Sequence, residues 1–508
     1  MERFVIGIDL GTTGVKSILV NEKGQVVNSS LKEYPLVTPR PGWAQQDPEL
    51  WWSATVESIQ SLVKTIDPAL LAGIGLTGQM HGSVFLDQDG SVLYPAILWC
   101  DQRTAKECDQ INEKVGKDRI FEITCNPVLT GFQAPKILWL KNNHPEIHRK
   151  IKKVLLPKDY IRFRLTGEFA TDVSDASGTS LFDVRKRNWS GEILDILEIP
   201  LDWLPRSFES VEITATTSAE IQRLTGVPAG TLVVAGAGDQ AAGAIGAGIT
   251  KEKLISISLG TSGVVFAFSE KAFVDPKGRL HTFCHAVPGK WHLMGVMLSA
   301  GGSFRWFRDT LGEKEKEQAE KIGKDPYELL TSLAEKSSPG CEGVIFLPYL
   351  SGERCPYPDP DAKGVFFGIS LKTTKSDLVR SVIEGVSFGI RDSVEIMKNI
   401  GIPSGGHCRV SGGGAKSEFW MKLLADIIGE KMVRLVSEQG PSYGAALLAG
   451  SGAGVFPEIE KTCDMFISIK DEFFVDATSH DFYTRIYSLY RDLYRNLKVS
   501  FDLMSNLF

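Results

Sequence analysis

Two short segments of the 508-residue chain carry the most chemistry, Asp9-Leu-Gly-Thr-Thr-Gly-Val15 and Ser258-Leu-Gly-Thr-Ser-Gly-Val264. Each follows an apolar run (VIGI, LISI) and leads into another, so each reads as a tight turn between strands. Glycine lets backbone N–H groups approach an oxyanion closely, and the adjacent hydroxyls add donors. Two such turns suit a polyphosphate gripped from both sides, with Thr12, Thr13, Gly260 and Thr261 as its contacts. Asp9 stands immediately before the first turn. A carboxylate there is repelled by phosphate unless Mg2+ lies between them, so Asp9 is both a candidate catalytic group and the candidate metal residue. The second copy has Ser258 at this place, as expected if only one half handles the metal.

Phosphoryl transfer also needs a positioned acceptor hydroxyl and a group to take its proton. Asp239 follows the strand-like LVVAG and opens an Ala/Gly-rich helix. A helix cap and a general base both fit an aspartate in this position. Gly78-Gln79-Met80-His81-Gly82 follows the apolar run AGIGLT. His81 could bond a sugar hydroxyl with Met80 as an apolar wall and Gln79 beside them, although a lone histidine is often structural. Trp99-Cys-Asp101-Gln-Arg103 joins an aromatic, an acid and a base, a mixture that suits sugars, with Asp101 and Arg103 as candidate contacts. In VSGGGAKSE (410–418), glycines including Gly413 lie between a strand and a helix. They permit close approach of a purine, or form a simple turn.

Two segments only imitate nucleotide motifs. In GTTGVKS (11–17) Val15 occupies the place of the glycine that precedes a P-loop lysine, and VVAGAGDQAAG (233–243) lacks the third glycine of a dinucleotide turn.

Strand-like and helix-like segments alternate along the whole chain, which defines an α/β protein. The turn NEKG (21–24) predicts a hairpin extending the first sheet. Asp47-Pro48-Glu49 predicts a helix start, with Trp51, Trp52, Val56, Ile59 and Leu62 on its apolar face. The matched Gly-Thr turns mark an internal duplication that divides the chain near residue 250. The charged stretch 312–325 reads as solvated. From about Asp481, Phe482, Ile486, Leu489, Tyr490, Leu493 and Leu497 recur at helical spacing and predict a packing helix.

With 62 acids against 56 bases the chain has no basic footprint for nucleic acid. No segment reads as a signal peptide or a membrane span; the most apolar stretch, 231–249, is interrupted by Asp239 and Gln240. Eight scattered cysteines without metal-ligand spacing fit a reducing cytoplasm.

Together these features resemble the FGGY family of carbohydrate kinases, over residues 4 to about 450. Gly364-Val-Phe-Phe-Gly-Ile369 with Asp377, Leu378, Ser381 and Glu384 matches the second family signature. The segment 131–143 matches the first, with Lys136 and Trp139 in place and Gln133 where Ser, Thr or Pro is usual. The resemblance implies two actin-like (ribonuclease H-like) domains of duplicated plan flanking a deep cleft. Residues 1–250 would form the sugar domain with the first phosphate turn, 251–480 the ATP domain, and 481–508 a helix packed on the body. It further implies MgATP as phosphoryl donor and a small sugar as acceptor. GQMHG (78–82), PAILWCDQR (95–103), LLPKDY (155–160), SDASGT (174–179) and FLPYLSGER (346–354) resemble the branch acting on D-xylulose. Other sugars or polyols (ribulose, gluconate, glycerol) and a non-catalytic sugar-sensing ATPase are the alternatives. By resemblance Met80 and His81 contact the sugar, Asp239 is the proton acceptor, Asp9 assists Mg2+, and Thr12, Thr13 and Thr261 meet phosphate. Gly301, Gly413 and Ser417 match positions near the nucleotide, Ser417 standing where some relatives have asparagine. Members are often homodimers, but no segment identifies an interface.

Overall fold

The paired Gly-Thr turns predict two sheets of one plan. In the computed structural model, which describes residues 2–437 and 439–507, the first sheet is built from β1 (Phe4–Leu10), β2 (Gly14–Asn21), β3 (Val26–Glu33), β4 (Leu71–Gly78), β5 (Ile213–Thr216) and β6 (Leu232–Val234). Their order is β5-β6-β4-β1-β2-β3. The second sheet is built from β7 (Leu254–Leu259), β8 (Gly263–Ser269), β9 (His281–Cys284), β10 (Trp291–Met297), β11 (His407–Ser411), β12 (Lys431–Leu435) and β13 (Ile469–Phe473). It runs β9-β10-β8-β7-β11-β12-β13. In both, an antiparallel hairpin turns at the Gly-Thr motif and its first strand has a parallel neighbour, β4 or β11. In both, the strand at the far edge, β5 or β13, is antiparallel. The duplication is thus repeated over six strands, with β9 added at the edge of the second sheet, in the actin-like plan.

Local chemistry accounts for the elements around the first turn. Asn21 caps the NEKG hairpin, its Oδ1 accepting from the backbone N–H of Lys23 at 3.1 Å and of Gln25 at 3.0 Å. The helix Pro48–Val63 starts where Asp47 accepts from Glu49 N–H, and all five expected apolar residues are on its buried face. The charged stretch holds a helix, Glu313–Ile322, with Ala319 as its buried residue. The terminal helix, Ala477–Ser505, begins before the expected residue 481, and of the expected packing residues Phe482, Ile486, Tyr490, Leu493 and Leu497 meet the core. Tyr483, Tyr487, Tyr490, Leu493, Tyr494 and Phe501 are buried, whereas Leu489 is half exposed. The buried face is wider than expected because the rings of Tyr483, Tyr487 and Tyr494 also fill the core while their hydroxyls reach Glu384, Asp392 and Asp359. No helix among the described residues is long and apolar enough to cross a membrane.

The helix Pro441–Gly452 lies within the 251–480 segment, yet it packs on the first sheet. Ala446, Leu447 and Ala449 are buried against Val5, Ile18 and Val20 of β1 and β2 and against Ala241 and Ala242 of the helix Asp239–Gly246. The two helices meet backbone to backbone at Gly444, where a Cβ would lie 1.8 Å from the Ala242 carbonyl oxygen. Backbone cannot yield as a flexible side chain does. Gly444→Ala is therefore expected to cost about 3 kcal/mol and to displace the helix that begins with Asp239. Thermal unfolding and kcat should both fall; an unchanged midpoint would show that the helices have room to part.

Candidate active site

The ends of β1 and β4, the first Gly-Thr turn and the start of the helix Asp239–Gly246 converge. Asp9 is paired across β1 with Thr77, and Ala237-Gly238 continues the sheet beside Thr77 and Gly78. This register delivers Asp239, the first helical residue, next to Asp9. Burial raises Asp9 to about 7, with the negative charge of Asp239 adding to the rise and Lys16 opposing it. Burial also raises Asp239, to about 6, against hydrogen bonds from Gln240. Two carboxylates that repel one another beside a phosphate-sized turn form a site that a divalent cation relieves. Among the described residues Asp9 has no ion-pair partner within 4 Å, so it is free to face such a cation.

The turn itself has a defined polarity. The carbonyl oxygen of Gly11 accepts from the Tyr34 hydroxyl at 2.6 Å. That of Thr12 accepts from Gln46 Nε2 at 2.8 Å, and that of Thr13 from Tyr34 N–H at 3.1 Å. Gly11 N–H closes the turn on the Gly14 oxygen at 2.9 Å. Among the described residues the N–H groups of Thr12 and Thr13 meet no acceptor. In the second turn, the Gly260 oxygen accepts from Gly301 N–H at 2.8 Å, and the Thr261 oxygen from Ala300 at 2.9 Å and Gly302 at 3.0 Å. A Cβ at Gly301 would lie 2.5 Å from the Gly260 oxygen, so only glycine permits this contact.

The residues expected at the sugar gather on the first body. His81 takes a left-handed backbone conformation with φ 68°, held by Lys136 Nζ, which donates to the carbonyls of His81 at 2.7 Å and Gly131 at 2.6 Å. The ring stacks on Phe132 at 4.5 Å, and its Nδ1 lies 2.7 Å from the Gly178 oxygen. A carbonyl only accepts, so Nδ1 carries the proton and Nε2 keeps a lone pair. Burial lowers this histidine to about 3, which keeps it neutral. Met80 is buried against Gly178 and Gly238. Gln79 Oε1 accepts from the Thr12 hydroxyl at 3.2 Å, tying the Gln-Met-His segment to the first Gly-Thr turn.

Asp101 and Arg103 are placed differently from the expectation. Both side chains are fully buried and paired with each other at 2.7 Å. Asp101 also accepts from Ala44 N–H at 2.6 Å, and Arg103 lies over the Trp43 ring at 3.8 Å. Acid and base consume one another, so neither faces a sugar; together they anchor the loop that presents Trp99. That indole is 46% exposed and donates to the Thr12 hydroxyl at 3.0 Å. The mixed composition of 99–103 marked the loop, but its aromatic member is the one that reaches the first turn.

Gly260, Thr261, Gly301, Gly413 and Ser417 line one cleft of about 680 Å3 on the second body, with Phe304, Tyr327, Glu328 and Trp420 as walls absent from the sequence reading. Ser417 caps the helix Glu418–Ile428, its Oγ accepting from Trp420 N–H at 3.1 Å. A larger hollow of about 1060 Å3, around Asp47, Asp89, Arg164 and Glu220, contains none of the candidate site residues.

An acid pair and a Gly-Thr turn lie at one strand end, and a separate cleft lies behind the second turn, an arrangement that suits phosphoryl transfer between two bodies. The models of the FGGY carbohydrate kinase family match residues 4–246 with the N-terminal domain and 255–453 with the C-terminal domain, and the chain belongs to that family. It is 44% identical to a xylulose kinase of Escherichia coli K12, over 87% of this chain and 89% of that one. A crystal structure described as a xyloylose kinase of Brucella ovis superposes with a TM-score of 0.89 at 35% identity, covering 98% of this chain and 100% of its own. A gluconate kinase structure from Lactobacillus acidophilus superposes at 0.92 with 28% identity, over 99% and 100%. The chain is accordingly an ATP-using carbohydrate kinase, and backbone similarity alone does not choose its sugar.

Proposed function

We propose that the chain transfers the γ-phosphoryl group of ATP to the 5-hydroxyl of D-xylulose, giving D-xylulose 5-phosphate and ADP. The observation that carries the reading is the pairing of Asp239 and Asp9 beside the first turn. Asp239 takes the proton of the 5-hydroxyl, the freed oxygen attacks the γ-phosphorus, and the bond from that phosphorus to the β–γ bridging oxygen breaks. His81 Nε2 accepts from a sugar hydroxyl, Met80 supplies an apolar wall, and Gln79 links the sugar side to the turn. Trp99, exposed against Thr12, covers the mouth. Thr12 and Thr13 hold phosphate from one body; Gly260, Thr261, Gly301 and Gly413 hold the nucleotide from the other, with Ser417 at the edge of the cleft. Mg2+, held through Asp9, would neutralise charge on the phosphates. The eight cysteines, all free thiols, suit a reducing, cytoplasmic setting.

The choice of sugar rests on identity to xylulose kinases, so it is tested with a panel. ADP formation with MgATP should be fastest, by kcat/KM, with D-xylulose among D-xylulose, D-ribulose, gluconate and glycerol. Equal or better turnover of another acceptor would overturn the substrate while leaving the kinase.

A further inference from the structure

The first turn binds anions only if its N–H groups, not its carbonyl oxygens, face the cleft. A four-residue turn has no intrinsic reason to choose that orientation, because peptide units flip at small cost when nothing fixes their carbonyls. Here each carbonyl is tied back. Gln46 makes the central tie.

Gln46 is 1% exposed, and its amide is fully engaged. Nε2 donates to the Thr12 oxygen at 2.8 Å and the Pro35 oxygen at 3.0 Å. Oε1 accepts from Trp51 Nε1 at 3.0 Å and Gln79 Nε2 at 3.4 Å. Two partners are carbonyls and one is an indole N–H, so the amide has one possible orientation. Trp51 is wholly buried in the helix capped by Asp47, so the anchor is rigid. Tyr34 supplies the flanking ties to Gly11 and Thr13. The second turn reaches the same polarity without side chains, through the backbone N–H groups of Ala300, Gly301 and Gly302. The duplicated halves thus share an orientation of the turn but achieve it with different groups.

We infer that Gln46, seconded by Tyr34, is a positioning residue that gives the first Gly-Thr turn its anion-binding polarity by holding the turn's carbonyl oxygens out of the cleft. This rests on the reading of that turn as a phosphate site, stated above.

Gln46→Glu keeps the shape and removes both donors, setting carboxylate oxygens against two carbonyls. Loss of these donors in a buried site is expected to raise KM for MgATP about tenfold or more. KM for the sugar should stay within about twofold, and adenosine, which engages only the second body's cleft, should bind as to the wild type in calorimetry. Tyr34→Phe removes one hydroxyl and should show the same split, at about threefold; it decides the matter if Gln46→Glu does not fold. Thr13→Asp, at an exposed position of the turn, sets a negative charge against phosphate and controls for the reading itself. If Thr13→Asp weakens ATP binding while Gln46→Glu and Tyr34→Phe do not, the positioning role is wrong and the phosphate turn stands. If Thr13→Asp also leaves ATP binding unchanged, the phosphate reading falls and the inference falls with it. Equal weakening of ATP and adenosine would assign Gln46 to general structure and overturn the inference.

Discussion

Asp239→Asn is expected to lower kcat by about 10² or more with KM for both substrates nearly unchanged. The amide keeps the shape of the carboxylate and its place at the helix start but cannot take a proton. The wild type should show the matching pH profile. With Asp239 near 6 and Asp9 near 7, both carboxylates lose their charge as pH falls, so kcat/KM should begin to fall below about pH 7 and fall more steeply below about 6. The stability effect has the opposite sign. A carboxyl raised above its unfolded value of 3.8 binds its proton more tightly in the folded state, so its burial weakens the fold increasingly as pH rises from about 4 to 6. At pH 7 the asparagine variant should therefore unfold at a higher temperature than the wild type. Lost turnover with a raised midpoint would separate a missing base from a damaged fold. A variant with near-normal kcat would remove Asp239 from the chemistry.

The second large effect is expected at Lys158, beneath the site. Its ammonium is wholly buried and touches Asp159 at 2.6 Å, Asp172 at 2.9 Å and Asp175 at 3.4 Å. Burial disfavours this charge, but the three carboxylates outweigh it and raise the lysine above its ordinary value. The other cation of the cluster, Arg162, is fixed on the Ala235 oxygen and the Thr214 hydroxyl. Lys158→Met keeps the length of the side chain and strands the carboxylates. Breaking a buried ion pair from one side costs about 3–5 kcal/mol, which should lower the unfolding midpoint by about 5 °C or more. The damage should reach catalysis, because Asp172 accepts from Ser174, whose Oγ accepts at 3.1 Å from the N–H of Gly238, the residue before Asp239. A midpoint within about 1 °C of the wild type would show that the carboxylates are relieved by protonation alone.

What was legible in the sequence divides by range. The Gly-Thr hairpins, the Asn21 turn and the Asp47 helix start are set by a few adjacent residues and a steric or hydrogen-bonding rule, and each forms as read. Asp239 was legible as the residue between a strand and a helix, but not as the neighbour of Asp9, which depends on the register of Ala237-Gly238 against β4. Gln46 and Tyr34 gave no signal, because each acts on the first turn from another segment of the chain; Lys158 lies in a motif that carries the resemblance, but its carboxylate cluster forms only on folding. The adjacency of Asp101 and Arg103 suggested a polar site; burial made them a closed pair, and only their environment distinguishes the two outcomes. Five of the six residues expected on the terminal helix's packing face meet the core; the tyrosines at 483, 487 and 494 widen that face, and only Leu489 falls outside it.

The helix Pro441–Gly452 has a consequence for how the protein is made. Val5, Ile18 and Val20 at the start of the chain are covered by Ala446, Leu447 and Ala449 near its end. During synthesis one face of the first sheet therefore stays bare until the ribosome has passed residue 452, and chains normally protect such surface by folding domain by domain. A nascent chain released at residue 250 would hold the sugar motif and both carboxylates, yet lack the cover for its own sheet. Such a fragment is a client for chaperones before it is an enzyme.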